Sequence, residues 1–481
     1  MQRLRFAKLG AVAAVAVAVL APAAPAPAAQ IPLSEREVRD NIAGAWVGAV
    51  VAGAWGRPTE FRYKGRVIPA DEVPRYRPAQ VNRYTFRGDS DETYVEIPFL
   101  DAMREHGVAA SWPEWAAAFA ASRFKLFFAN RFARDNIRAG IQPPASGDPS
   151  FNPSAYDIDF QIESDFPGMT APAQPGAAVD IAWRIGHVMN HGDGVYGGVM
   201  VSAMHAAAFH AGSVRAIVEV GRDAVPPGTT YRQMIEDVLR WHRRYPGDWR
   251  KTWRRLERRW NAHDRSAKRT RVESEFNIDA KLNGAYILLG LLYGNGDFER
   301  TVRISMRAGQ DSDCNPSNAA SILGNWMGRS GIPPRFRHGI AYGREFPFTG
   351  YTLRRAIDVT TDLAAEVTAV RGGEVDGRRW HVEESRVQAP ALEQWPLVAT
   401  DAPAVSEPVV MREPGGGYRF SVDASDPDGI ADAWWSFGDL EGARGTEVSH
   451  SYRVPGTYRV IVWIADGLGS TSTRQLTVTV P

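Results

Sequence analysis

Two short acidic segments stand out from the 481-residue chain for the chemistry they could carry. The first is Arg87-Gly-Asp-Ser90-Asp91-Glu92-Thr93, and the second, far downstream, is Gly309-Gln-Asp311-Ser-Asp313-Cys314-Asn315-Pro316. Carboxylates packed this closely repel one another, and groups of acids and hydroxyls are what Mg²⁺, Mn²⁺ or Ca²⁺ take as ligands. An Asp-x-Asp turn sends two carboxylates to the same side, so Asp311 and Asp313 can share a cation. A helix following Pro316 would offer its N-terminus to an anionic group. Asp and Ser are also ordinary turn formers and caps, and spacing alone favours plain loops. The sequence has no P-loop, no GxSxG elbow and no HExxH. Its one cysteine, Cys314, can form no internal disulfide and has no obvious base beside it in sequence.

The elements that must position these residues are mainly helical from Glu35 to about Gly372. Ser34 is placed to cap a helix whose first turn carries Glu35 and Glu37. That helix runs into Ile42–Val50, small and apolar enough to be buried on all sides, as are Asn283–Leu292 and Ser317–Met327. Asp248 can cap a further helix with Trp249, Trp253, Leu256 and Trp260 on one stripe and Arg250, Lys251, Arg254, Arg255, Arg258 and Arg259 on the other. Separate stripes predict a core-packed helix with a solvated face rather than a nucleic-acid surface. The overall balance agrees: 56 Lys+Arg against 55 Asp+Glu give a net charge of +1, which excludes a globally basic nucleic-acid binder. A charged fraction of 23% with 15 Trp and 20 Phe excludes wholesale disorder.

Residues 1–28 read as a secretory signal peptide: Arg3, Arg5 and Lys8, an apolar run from Leu9 to Leu20, then Ala26-Pro-Ala28. The run is shorter than the roughly 20 residues a membrane span needs. The expected product is secreted, with no stable membrane insertion after cleavage.

The C-terminal eighty residues change character. Strand alternation in Tyr418–Val422, Tyr458–Ile464 and Leu476–Val480, separated by Gly-, Pro- and Asp-rich turns, predicts a small antiparallel sandwich. The segment resembles a PKD domain, an immunoglobulin-like module, through Trp435-Ser-Phe-Gly-Asp439, His450-Ser-Tyr452, Pro455-Gly-Thr-Tyr458 and Asp466-Gly467. Leu440 stands where the family usually has Gly. The resemblance implies a spacer or an adhesion unit for a polysaccharide or protein surface. The expected division is 31–373 for the helical domain, 374–403 for a connector with little periodicity, and 404–481 for the sandwich.

A third segment, Gly56-Arg-Pro58-Thr-Glu60-Phe61, gives the acidic clusters a common reading. Followed by Ser90-Asp91-Glu92-Thr93 and then by Gly309-Gln-Asp311-Ser-Asp313-Cys314-Asn315, it resembles the ADP-ribosylglycohydrolase family. The likeness spans roughly residues 35–370. It implies an all-α domain whose two acidic motifs converge on two divalent cations, commonly Mg²⁺, with Mn²⁺ or Ca²⁺ as alternatives. Carried over by position, Ser90, Asp91, Glu92, Asp311, Asp313 and Cys314 are the expected metal ligands, and Glu60 the acid/base or gate near the scissile bond. Glu92 stands for a second Asp, Ser90 for Thr, Cys314 for Thr and Gly53 for an Asp beside the first helix. A thiol is a poor ligand for a hard cation.

The middle of the chain matches a less characterised branch of that family, through Gly140-Ile-Gln-Pro-Pro144, Asp157–Asp165 and His187–Gly198. In the family picture these regions line the substrate pocket, with Asp159, Glu163, Asp165, Gly168, Asp193, Tyr196 and Gly197 as expected contacts. From the residues alone, Asp157, Asp159 and Glu163 are equally well caps or solvated acids. His187 and His191 have the spacing of a helical metal pair, but Gly192-Asp-Gly194 interrupts any helix there, so structural histidines are the better reading. The activity implied is metal-assisted hydrolysis of a ribosyl linkage, removing ADP-ribose from a modified acceptor. The rivals are a hydrolase of another N-glycosidic or ribosylated small molecule, and a degenerate member that binds a sugar or surface polymer.

Overall fold

The computed structural model describes residues 30–88, 90–262, 277–393, 401–467 and 470–481. The expected signal segment, Asp89 and residues 394–400 of the expected connector lie outside them. The first long helix, Glu35–Gly56, starts where its cap predicts: Ser34 Oγ accepts from Glu37 N at 3.2 Å, and the Glu37 carboxylate accepts from Ser34 N at 2.9 Å. Every residue from Ile42 to Gly56 is buried, so this helix lies inside the domain.

Its main partner is the helix Cys314–Gly331, and the two backbones touch. A Cβ on Gly48 would sit 2.2 Å from the Ala320 carbonyl oxygen, and one on Gly44 would sit 2.1 Å from that of Gly324. Only glycine allows such an approach. Two further helices, Asp193–Ala208 and Ala280–Gly294, are buried along their whole length and complete the interior. Around them lie amphipathic helices, including Thr230–Arg244, Phe298–Arg307 and Leu353–Val370, with one face inward. The helix Trp249–Leu256 follows the predicted division. Asp248 caps it by accepting from Lys251 N, Trp249, Trp253, Leu256 and Trp260 are buried, and the neighbouring arginines are exposed.

The connector is only partly irregular. Glu374–Asp376 and Arg379–Glu383 form two strands of an antiparallel sheet whose third strand is Gln30–Ser34, with Ile31 opposite Val382 and Leu33 opposite Trp380. The start and the end of the helical domain are thus hydrogen-bonded to each other.

The C-terminal sandwich has one sheet in the order Thr471–Val480, Gly456–Asp466, Ile430–Ser436, Gly442–Arg444. Facing it is a second sheet in the order Glu447–His450, Tyr418–Ser421, Val409–Arg412. Alternation along the central strand has two buried destinations: Val460, Val462 and Ile464 fill the sandwich core, whereas Ile461 and Trp463 join the core of the helical domain. The Trp463 ring centre lies 5.7 Å from that of Trp112 and 5.8 Å from that of Trp183, both in edge-to-face contact.

Leu440 also faces the helices. Its φ of 67° is in the left-handed region, which explains the usual glycine. That conformation costs roughly 1–2 kcal/mol. Burying a leucine contributes roughly 1.5–3 kcal/mol, and Leu440 is 2% exposed. Burial therefore offsets the backbone strain.

Two variants test these packings. Gly48→Ala should destabilise the protein by about 1–3 kcal/mol, the usual cost of overpacking, seen as a lower calorimetric Tm. Trp463→Ala should remove about 3–5 kcal/mol of packing and free the sandwich, giving a larger radius of gyration in X-ray scattering and two separate melting transitions. A scattering curve identical to the wild type would contradict the second expectation.

Candidate active site

The helix crossing brings Gly56–Phe61 and the second acidic segment together. A Cβ on Gly56 would lie 1.9 Å from the Ser312 carbonyl oxygen, so the end of the first helix rests directly on the second acidic segment. Thr59 Oγ1 and Ser312 Oγ are 2.8 Å apart, Phe61 N donates to the Gln310 carbonyl at 2.9 Å, and Gln310 N donates to that of Tyr63 at 3.0 Å. Phe61 and Gln310 both have φ near 50°, sparsely populated for non-glycine residues, and each is held there by these bonds. The helix predicted to start after Pro316 begins earlier, at Cys314, with Asp313 at its N-cap. Negative charge is favoured at that position.

The first acidic segment enters from the side. Ser90 is buried just before a short helix, Asp91–Tyr94. The ligand-capable atoms of Asp91, Glu92 and Cys314 lie within 4.8 Å of one another, as do those of Asp311, Asp313 and Cys314. Cys314 joins the two groups, with Sγ 4.0 Å from Asp91 Oδ1. Arg57 Nη1 is ion-paired with Glu60 and lies 3.3 Å from Asp313 Oδ2. Glu60 stands partly exposed on the outer side of that pair.

Asp91, Glu92 and Asp313 lie in the field of this guanidinium. Burial, then Asp313, pushes Asp91 up to about 6, although Arg57 opposes the shift. Burial, reinforced by neighbouring carboxylates, pushes Glu92 and Asp311 well above the usual range. Burial also raises Asp313, and it pushes the Cys314 thiol well up. Both oxygens of Asp311, Oδ1 of Asp313 and Oε2 of Glu92 are buried with no hydrogen-bond donor among the described residues. Orphaned, desolvated carboxylate oxygens are costly unless protonated or bound to a cation. The donor set is hard oxygen, so these residues fit a divalent cation of the Mg²⁺ type. The soft thiol of Cys314 is the exception.

Asp91 and Asp311 open onto a cavity of about 220 Å³. Asp91, Asp159, Asp311, Cys314, Arg57 and Glu60 line one part, and Phe61, Phe127, Phe128, Ile158, Ile162 and Ile278 form the apolar remainder. Asp159 therefore borders the cavity while also capping the helix Phe128–Arg138, accepting from Asn130 N at 2.7 Å. Asp157 accepts from Ala129 N at 3.0 Å at the same helix end. Glu163 sits behind, bonded to the Asn130 side chain, with Oε2 unpartnered. Asp157 and Asp159 are caps, as one reading of the residues had it, whereas Glu163 is not, and all three are buried rather than solvated.

The other expected substrate contacts line no part of this cavity. Asp165 is held by His205 at 3.1 Å and Asn318 at 2.9 Å. Asp193 accepts from Tyr231 N at 3.3 Å and pairs with Lys281 at 3.2 Å. The Tyr196 hydroxyl donates to the Ala391 carbonyl at 2.7 Å. Gly168 and Gly197 admit Ser202 and Gln161 to the helix backbone. The small and polar residues here serve helix packing around a fully buried helix. Gly192-Asp-Gly-Val-Tyr-Gly197 has the spelling of a dinucleotide loop, but it joins the helices Pro175–Gly186 and Asp193–Ala208 and follows no strand. The Phe and Ile wall had no signal in sequence; Arg57 did, inside Gly56-Arg-Pro58.

Gly53 and Glu92 are coupled. A Cβ on Gly53 would lie 2.1 Å from Glu92 Oε1, so the longer acid occupies the space a side chain at 53 would need. Gly53→Ala should displace Glu92 and weaken any divalent-cation binding about tenfold in calorimetric titration, in the range of lost supporting contacts. Adding Glu92→Asp, which withdraws the carboxylate by one methylene, should restore part of the loss.

Comparison with known proteins places this geometry. The PKD domain family matches residues 401–480. No curated protein matches the chain. A solved structure described as an ADP-ribosylglycohydrolase-related protein complex aligns over 68% of this chain and 98% of its own, at 15% identity and a TM-score of 0.44. The PKD1 domain of Vibrio anguillarum Epp aligns at 25% identity over 17% of this chain and 96% of its own, with a TM-score of 0.16. The PKD1 domain of the Vibrio cholerae metalloprotease PrtV does so at 28% identity, over 17% and 98%, also with a TM-score of 0.16. The ADP-ribosylglycohydrolase family itself matches residues 34–373, which contain all three motifs and the cavity they enclose, and the chain belongs to that family.

Proposed function

We propose that the protein is an exported, divalent-metal-dependent glycohydrolase that cleaves a ribosyl linkage, with ADP-ribose on a modified acceptor as its substrate. The observation that carries this reading is the meeting of Asp91, Glu92, Asp311 and Asp313 around Cys314, beside a cavity that Asp91 and Asp311 line, with oxygens of Glu92, Asp311 and Asp313 short of donors. These four would hold the cations, with Ser90 and Cys314 beside them. Bound there, the metal would orient a sugar diol and lower the pKa of a bound water. Glu60, at the cavity edge, exchanges the proton with the water or the leaving group. Arg57 holds Glu60 and Asp313 in fixed relation, so the proton-transfer group and the acidic cluster move together. The Phe and Ile wall keeps bulk water from the bond being broken.

Export rests on the character of residues 1–28; among the described residues no helix is long and apolar enough to cross a membrane. The sandwich would carry the enzyme to a polysaccharide or protein surface. No nucleic acid is expected as a partner.

One observation favours a smaller substrate. The cavity is about 220 Å³, and Arg57, its one cation among the described residues, is already paired, which leaves no described cation for a diphosphate. A nucleoside or other N-glycoside would need none.

With Mg²⁺ or Mn²⁺, the purified protein should release ADP-ribose from an ADP-ribosylated substrate, and EDTA should stop the release. Nucleosides assayed alongside decide between the two substrates. Asp311→Asn and Asp313→Asn should each lower activity at least about a hundredfold, beyond the effect of losing a supporting contact. Wild-type activity in both would refute the assigned site. Absence of any divalent binding would favour a degenerate sugar- or surface-binding member.

A further inference from the structure

A second cluster of ligand-type side chains lies apart from the acidic cavity. His187 follows the helix Pro175–Gly186, His191 ends the same turn, and Glu393 reaches them from the connector. The three side chains are 2%, 7% and 2% exposed. His191 Nδ1 is 3.0 Å from Glu393 Oε1, and Gly192 N donates to Oε2 at 2.8 Å. His187 Nε2 is 3.2 Å from both carboxylate oxygens.

The tautomer of His187 is constrained. Its Nδ1 lies 2.6 Å from the Trp183 carbonyl, an oxygen that can only accept, so Nδ1 carries the proton. In a neutral ring, Nε2 then directs a lone pair at a buried carboxylate. The contact is repulsive unless a positive charge lies between them. A second proton on the ring would supply it, and so would a metal ion. The equal distances to the two oxygens suit a shared cation better than a hydrogen bond aimed at one. A ring N–H given to a backbone carbonyl is also how metal-bound histidines are usually oriented. With bonds of about 2.0–2.2 Å, tetrahedral zinc holds its ligand atoms roughly 3.3–3.5 Å apart, close to the separations here.

We propose that His187 Nε2, His191 Nδ1 and the Glu393 carboxylate bind a divalent cation of the zinc type. Two imidazoles and one carboxylate suit zinc, whereas the oxygen-rich acidic cavity suits Mg²⁺. The fourth position falls to water. The ion fastens the connector to the helical domain beneath the sandwich, since the Trp463 ring centre lies 6.0 Å from that of His187. Its role is structural, independent of the hydrolytic reading.

Cobalt substitution tests this on the full chain. After EDTA dialysis, titration with Co²⁺ should produce the intense visible absorption of a four- or five-coordinate nitrogen-bound ion, saturating at about one equivalent. Zn²⁺ added instead should raise the Tm by about 5 °C or more. The band should persist in an Asp311→Asn, Asp313→Asn double variant and vanish in His191→Gln and in Glu393→Gln. A wild-type protein without the band, or one whose Tm ignores Zn²⁺, overturns the site and leaves an imidazolium–glutamate ion pair. So does a band that survives both the His191 and the Glu393 substitution. If those variants do not fold, the wild-type titration decides the matter.

Discussion

The contact on which the rest depends is the backbone-to-backbone crossing of Glu35–Gly56 and Cys314–Gly331. With no side chain between them at Gly44, Gly48 or Gly324, the two helices have one workable register. A slip of one residue would displace either end by 1.5 Å, enough to disrupt a metal-type site. The same small-residue face ends at Gly56 on Ser312, which hands Arg57 and Glu60 directly to Asp313. Close packing is therefore the means by which segments far apart in sequence meet at a fixed distance.

That convergence concentrates unfavourable charge. Buried carboxylates without donors are normally avoided, and here Arg57 alone cannot balance the four that meet. Such an arrangement persists because the surrounding helices over-determine it, and the same deficit is what makes it a candidate cation site. The Gly53–Glu92 pair shows how finely the space is shared: the acid extends by one methylene into room that exists only because position 53 has no side chain.

The sandwich is integrated with the helical domain rather than strung from it. Ser436 bonds to Asp180, Arg371 pairs with Glu441, and Arg453 pairs with Glu383. Trp463 and Leu440 bury their side chains against the helices. The strain accepted at Leu440 is the clearest sign that this face is adapted to docking. The connector takes part too, first as two strands and then through Glu393.

Local pattern made much of this legible in the sequence. Ser34 and Asp248 announced their helix starts, the Trp249 stripe its buried face, and alternation the strands of the sandwich. The three motifs named the acids and Glu60, because residue type and order carry the chemistry of a cluster even before its geometry is known. What the sequence could not decide were relations between distant segments. The apolar wall from Phe127 to Ile278, the pairing of Gly53 with Glu92, the arrival of Glu393 between two histidines, and the burial of Asp165, Asp193 and Tyr196 away from the cavity each depend on which helix lies against which. Propensity and periodicity act over a few residues, whereas these contacts are set by packing across the whole chain.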